Sequence, residues 1–387
     1  MAVRSEQIEL KPRLRWVRED QANHRTGELD LPRVDLESGE VLLGVQLRFE
    51  TWGQLNAHAD NAVVVCHALT GDAHAGDGEE GPGWWSGLIG PGKFLDTERF
   101  FVVASNVLGG CGGTTGPATV AWDNQPYGLR FPLVSVRDMV GVQLQLVDVL
   151  GINEIATVIG GSLGGMQVWE WACMAPERVR EAVVVAAHAA FTPLGMGYNA
   201  VMRQAITADP DWQNGSYYGT GRQPETGLAI ARQIGLLTYR ASELYRQRFG
   251  RTSTRSDSPQ VAWEAFVRPQ YQVESYLDYN GRKFVGRFDA NAYLYLIRAM
   301  DGHDIGRNRG GMNQALTLIK SHLTLVGIRT DYLYPVEELR TTAGQAVAAG
   351  VDCRYVELDS PHGHDAFLIE QDALANLIGE SREGRKA

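Results

Sequence analysis

Short runs of consecutive apolar, largely β-branched residues recur along the chain, separated by stretches with helical spacing. Ala62–Cys66, Phe100–Ser105, Ile155–Ile159 and Glu181–Ala186 each read as a strand buried on both faces of a parallel sheet. Leu323–Gly327 and Arg354–Leu358 resume that pattern late in the chain. Ser135-Val-Arg-Asp138 carries a capping signal and opens an amphipathic helix to about Leu150, which Gly151 ends. Val41–Gly53 alternates in parts and predicts an edge strand or a hairpin, whereas residues 1 to about 35 are polar and predict irregular structure. From about 191 to 300 no buried strand is recognisable. Gly227–Leu237 and Ala290–Met300 show helical spacing there, and a further helix is predicted from about Val336. The expected organisation is an α/β core formed by residues 1–190 and 301–387, with a helical lid inserted at 191–300.

Length and charge narrow the class without changing this picture. A chain of 387 residues can bury a large core, and its formal charge of -10 comes from interspersed acids and bases. No basic block or aromatic-basic stripe is present, so neither nucleic acid nor a membrane surface is an expected partner. Cys66, Cys111, Cys173 and Cys353 lie far apart with no C-x-x-C, so no metal site and no disulfide framework is expected. The N-terminal residues lack the apolar core of a signal peptide, and no run approaches membrane-spanning length. A soluble, cytoplasmic protein is the expectation.

The chemistry centres on Gly160-Gly-Ser162-Leu-Gly164, a G-x-S-x-G between a predicted buried strand and apolar residues at helical spacing (Met166, Val168, Trp169, Ala172). In that context the turn forces the serine into a strained conformation with its hydroxyl exposed. The glycines avoid collision with the neighbouring strand and helix. The helix N-terminus adds partial positive charge and free N–H groups beside the reacting oxygen. A serine hydroxyl still needs a base to take its proton and a carboxylate to orient that base. The expected chain order is serine, acid, histidine, with each at the C-terminal end of a strand. Asp331 follows one late strand. His362 and His364 both follow the other, and order alone does not separate them. His303, in an earlier Gly-His-Asp, would break the order and reads as a surface or packing residue. The backbone N–H of Leu163 supplies one oxyanion donor, and Leu69, within His67–Gly71, is the expected second. His67 is expected to shape that loop; His74 and Asp72 have no assigned role. The glycine-rich stretch Asn106–Thr115 matches no phosphate-binding pattern and is expected to pack closely beside the site.

Six stretches together resemble the homoserine O-acetyltransferase family of methionine biosynthesis, within the α/β-hydrolase superfamily. They are Cys66-His-Ala-Leu-Thr-Gly71, Gly83-Trp-Trp with Leu88–Lys93, Ser105–Cys111, Gly160–Gln167, Thr238-Tyr-Arg240 and Gly363-His-Asp-Ala-Phe367. They stand in the family's order across about residues 40 to 370. The resemblance implies an α/β-hydrolase fold with a helical lid, and it selects His364 as base alongside Ser162 and Asp331. It further implies Arg232 on the substrate carboxylate, through two parallel hydrogen bonds, and Asp365 near the substrate ammonium. Acetyl-CoA is then a co-substrate, no cofactor is bound, L-homoserine is the acceptor, and the assembly is a homodimer. In succinyl-using relatives an arginine stands two positions after the acid. Here that position is Leu333, which favours acetyl, with Arg329 the nearby cation that competes with this inference. Serine in place of homoserine differs by one methylene, worth only about 1–3 kcal/mol to a pocket. A serine esterase with the same triad and a non-catalytic binding protein are the competing classes.

Overall fold

The computed structural model describes residues 11–19, 23–254, 266 and 269–383. In chain order its main sheet contains β1 (Arg13–Glu19), β2 (His24–Asp35), β3 (Val41–Trp52), β4 (Ala62–Cys66), β5 (Phe101–Ser105), β6 (Ile155–Gly161), β7 (Glu181–Val185), β8 (His322–Ile328) and β9 (Cys353–Leu358). Their spatial order is β1-β2-β3-β5-β4-β6-β7-β8-β9. Pairing is antiparallel from β1 to β5 and parallel from β5 to β9. Every residue of β4, β5 and β7 is buried. Alternate residues serve opposite faces: Ala62, Val64 and Cys66 pack into one apolar cluster, Val63 and Val65 into another. The unbroken apolar runs in the sequence therefore reflect a sheet covered on both sides.

Two expectations are corrected. Residues within the first 35 are not irregular: β1 and β2 extend the sheet, while residues 1–10 and 20–22 lie outside the described residues. The buried side of β2 includes His24, Thr26 and Gly27 as well as Leu29, Leu31 and Val34, so its inward face does not look apolar. Of the two readings of Val41–Gly53, the edge strand is corrected, whereas β3 does form a hairpin with β2 through the turn at 36–40. Strand β3 pairs with β2 along its length and with β5 at its end, and β1 forms the edge.

Nine helices of eight residues or more accompany the sheet among the described residues: α1 (Val136–Val149), α2 (Leu163–Met174), α3 (Pro193–Thr207), α4 (Glu225–Tyr239), α5 (Ser242–Phe249), α6 (Gln272–Val285), α7 (Ala290–Asp301), α8 (Val336–Ala348) and α9 (Gln371–Glu383). The start of α1 is fixed as its sequence predicts. The Ser135 hydroxyl accepts from the Asp138 N–H, and the Asp138 carboxylate accepts from the Ser135 N–H. None of these helices is long and apolar enough to cross a membrane. Helices α3–α7 come between β7 and β8. Backbone bonds from Phe191 N–H to His303 O and from Ile305 N–H to Ala189 O pin the two ends of that excursion together. Residues 255–265 and 267–268, inside the predicted lid, lie outside the described residues. Helix α4 packs on α3 and α6 and touches the turn that carries His364, so this layer closes over the ends of the parallel strands.

Candidate active site

Ser162 stands between β6 and α2 at φ 58°, ψ -126°. A side chain held there costs about 1–3 kcal/mol of backbone strain, which the surrounding packing must impose. That packing is tight. A Cβ on Gly160 would lie 2.6 Å from the Gly164 carbonyl carbon, and one on Gly164 would lie 2.1 Å from the Cys66 carbonyl oxygen. Only glycine fits at either position, which explains both glycines of the motif.

Asp331 follows β8 and His364 follows β9, and the two meet beyond the C-terminal ends of these parallel strands. His364 Nδ1 donates to Asp331 Oδ2 at 2.6 Å. Asp331 Oδ1 accepts from the N–H groups of Leu333 and Tyr334 at 2.8 and 3.0 Å. These bonds lock the carboxylate and leave His364 with its proton on Nδ1 and Nε2 free to accept one. His364 Nε2 is buried with no hydrogen-bond partner, and both His364 and Ser162 line one cavity. Serine–base bonds often tighten only once substrate is bound. Tyr334 stacks on the His364 ring at 5.0 Å and 19°, holding its plane. Gly363, at φ 63°, lets the histidine turn approach the backbone after α4: a Cβ there would lie 2.8 Å from both Tyr239 O and Ala241 N. His362, the alternative base, instead faces Glu370 at 3.6 Å. His303 is a packing residue whose pKa burial pushes down to about 3, against the opposing effect of the His188 backbone.

Leu69 lies on the cavity wall, after β4, and Leu163 is the first residue of α2. Neither backbone N–H meets an acceptor among the described residues, so both are available to an oxyanion. His67 sets the Leu69 loop, as expected. Its Nε2 accepts from the Val107 N–H at 3.1 Å, so Nδ1 carries the proton and donates to Ala68 O at 2.7 Å. Burial keeps this imidazole neutral by lowering its pKa. The glycine-rich stretch packs beneath, as expected: Asn106 Oδ1 accepts from Gly112 N–H at 3.1 Å, and a Cβ on Gly112 would strike the Asn106 amide at 2.9 Å.

The cavity occupies about 410 Å³, and Arg232 and Asp365 line it together with Ser162. The Arg232 guanidinium sits over the rings of Phe284 and Tyr239, at 5.2 and 5.8 Å from their centroids. These contacts orient it without neutralising it. Asp365 is shared: Arg240 Nη2 approaches its carboxylate at 3.4 Å. Burial raises the Asp365 pKa, and Arg240 opposes that shift. Arg240 and Tyr239 were legible only as part of a motif, with no role attached. Nothing in the sequence marks Arg287, which also lines the cavity. Leu333 is buried, and Arg329 is directed to Asp359 and Glu357, at 3.2 and 3.6 Å, instead of to the cavity.

His74 acquires a role in the structure. Its Nδ1 faces Glu50 Oε2 at 2.9 Å and its Nε2 faces Gly81 O at 3.0 Å, so both nitrogens donate and the ring is an imidazolium. His24 Nε2 reaches the same Glu50 oxygen at 2.8 Å. These three residues are the one group among the described residues with metal-ligand character, their donor atoms lying within 4.8 Å of one another. The doubly donating His74 makes the group a hydrogen-bonded clasp on the Asp72–Trp84 loop instead of a set of free ligands. Burial works against the charge on His74, but Glu50 outweighs it and raises the pKa; Glu50 is correspondingly lowered despite its own burial. The stabilisation from His74 is therefore complete below its unfolded pKa, about 6.5, and is lost as pH rises through the raised folded value. The stabilisation from Glu50 is lost only in acid, as pH falls through its lowered value. Thermal melting should show the deficit of His74→Gln shrinking as pH rises from about 6.5 through the raised folded value. A deficit constant over that range would mean that His74 is neutral.

A serine at a strained strand–helix turn, an Asp–His pair on later strands and a helix-covered parallel sheet define an α/β hydrolase. The family model described as "alpha/beta hydrolase fold" matches residues 61–370. A homoserine O-acetyltransferase of Symbiobacterium thermophilum is 49% identical over 340 residues, spanning 87% of this chain and 88% of that relative. The chain belongs to the homoserine O-acetyltransferase family. Among solved structures, the homoserine O-acetyltransferase from Bacillus anthracis superposes with a TM-score of 0.85 at 25% identity, over 91% of this chain and 96% of that one. Esterase E22 superposes with a TM-score of 0.83 at 26% identity, over 91% of this chain and 98% of its own.

Proposed function

We propose that this protein transfers the acetyl group of acetyl-CoA to the side-chain hydroxyl of L-homoserine, in the branch of amino-acid biosynthesis leading to methionine. The observation that carries this is the pairing of an acyl-transfer constellation with an unneutralised guanidinium, Arg232, and a carboxylate, Asp365, in one cavity. An ester hydrolase acting on neutral substrates has no use for that pair; an amino-acid acceptor uses both.

His364 Nε2 takes the Ser162 proton as Oγ attacks the thioester carbonyl, and the Leu69 and Leu163 N–H groups hold the oxyanion. The carbon–sulfur bond breaks, coenzyme A leaves with the proton from His364, and Ser162 carries the acetyl ester. The acceptor's carboxylate binds Arg232 and its ammonium binds Asp365. Its hydroxyl gives a proton to His364, attacks the ester, and returns Ser162 with that proton restored. No resident cofactor enters the cycle, and donor and acceptor share one site in a ping-pong sequence. The layer formed by helices α3–α7 acts as a lid that withholds water from the acyl-enzyme. Acetyl over succinyl is supported by Leu333 after the acid and by Arg329 being held in surface ion pairs. A cytoplasmic homodimer completes the proposal, and sedimentation reads its assembly state.

The likeness to an esterase favours one second reading, hydrolysis of the acyl-enzyme by water. Coenzyme A release from acetyl-CoA and from succinyl-CoA, each with L-homoserine, L-serine or no acceptor, separates the readings. Release from acetyl-CoA that depends on homoserine is expected. Equal release without acceptor would make the protein a hydrolase, and release from succinyl-CoA would defeat the inference from Leu333.

A further inference from the structure

Arg287 is a second cation in the catalytic cavity, and the reaction scheme does not use it. It lies in the turn between α6 and α7 and is more exposed than Arg232. Its guanidinium sits 5.6 Å from the centroid of Phe284, the same ring that Arg232 approaches at 5.2 Å. Two guanidiniums thus share one buried ring on one cavity wall. Like charges brought together this way raise each other's energy unless an anion lies between or beside them.

Asp72 and Asp365 line the same cavity, but neither closes an ion pair with these two guanidiniums. Among the described residues, no carboxylate approaches Arg287 or Arg232 within 4.0 Å. Asp289, two residues away, accepts from Tyr217 and Tyr218 at 2.5 and 2.9 Å and from the Ala292 N–H at 2.7 Å. Asp365 is drawn to Arg240, and Asp72 Oδ1 accepts from the His74 N–H at 3.0 Å. The Arg287 backbone is itself tied down, its N–H donating to Phe284 O at 3.0 Å. Asp72, on the same cavity wall, acts on Arg287 without forming a close ion pair, so its exposed guanidinium keeps N–H groups open to a ligand oxyanion, which it can grip with two parallel bonds.

We propose that Arg287 is a second oxyanion-binding residue of this cavity, distinct from Arg232, and that it grips an anionic group of a substrate. Given the acetyl transfer proposed above, that group is a phosphate of the acyl donor or the carboxylate of the amino-acid acceptor. Steady-state kinetics of Arg287→Ala decide between these sources when measured with acetyl-CoA and with a phosphate-free thioester, S-acetyl-N-acetylcysteamine. A rise of about tenfold or more in KM for acetyl-CoA, absent with the phosphate-free donor, assigns the phosphate. A similar rise in KM for L-homoserine with either donor assigns the carboxylate. In both cases kcat changes little and Arg287→Lys recovers part of the loss. KM values unchanged for every substrate, or a loss confined to kcat, would overturn the proposal. Failure of the acetyl-transfer reading appears separately, as absence of homoserine-dependent turnover in the unsubstituted protein. Equilibrium titration of both proteins with coenzyme A and with L-homoserine then still tests Arg287, and equal affinities for both ligands would overturn its role.

Discussion

Ser162→Ala abolishes acyl transfer, with kcat falling by about 10⁵-fold or more and the burst of coenzyme A release disappearing. The expectation follows from the division of labour in the site. Leu69 and Leu163 can still hold a thioester oxygen after the substitution, and His364 still faces the cavity, but no oxygen remains to form the ester. What is left is attack by water in a cavity prepared for another nucleophile. The substitution is also structurally mild. Alanine keeps the Cβ that the φ 58° backbone already accommodates, and Ser162 makes no capping bond to α2. Thermal melting should therefore stay close to that of the unsubstituted protein, which separates lost chemistry from lost folding. Acceptor-dependent release within tenfold of normal would remove Ser162 from the scheme.

Asp331→Asn should lower kcat by about 10³- to 10⁴-fold, and the bonds around Asp331 explain why. Two backbone N–H groups, from Leu333 and Tyr334, aim at Oδ1, and only an oxygen can receive them. An asparagine must keep its carbonyl oxygen there, which turns its NH2 toward His364 Nδ1. That nitrogen must then accept, so the ring proton moves to Nε2, the atom meant to take the proton from Ser162. The base is lost through its tautomer while the geometry survives. Unfolding is not expected, since both backbone donors stay satisfied. Activity within tenfold of normal would show that Asp331 does not orient the base.

The two variants fail at different links. The serine variant removes the atom that reacts, whereas the asparagine variant leaves every reacting atom in place and misplaces one proton. Exchange of label between acetyl-CoA and coenzyme A, which needs only the first half-reaction, should be lost with the first variant and slowed with the second.

Much of this site was legible in the linear sequence because its determinants are local. The apolar runs of β4, β5 and β7 report burial on both faces, and Gly160, Ser162 and Gly164 announce their turn by spacing alone, although the Cys66 carbonyl oxygen that excludes a side chain at Gly164 comes from β4. Asp331 and His364 were accessible because chain order constrains where they fall relative to strand ends. Order stopped short of distinguishing His362 from His364, two residues apart. The family resemblance selected His364, and the structure separates them by partner, Glu370 for one and Asp331 for the other.

The remainder depended on contacts between residues distant in sequence. The strand β2 escaped recognition because polar residues share its buried face, and their partners come from elsewhere: His24 meets Glu50 and His74. The neutral tautomer of His67 is set by the Val107 amide, and the charge on His74 by Glu50 and Gly81. Arg240 on Asp365, and Arg232 with Arg287 on Phe284, bring together helices and turns that no spacing rule connects. The sequence by itself determined the buried parallel strands, the nucleophile and the order of its helpers, but not β1 and β2, because periodicity and motif spacing act over a few residues. Only the tertiary structure decided protonation states, charge partners and the cations of the cavity, because electrostatic interactions depend on distance in space and not on separation along the chain.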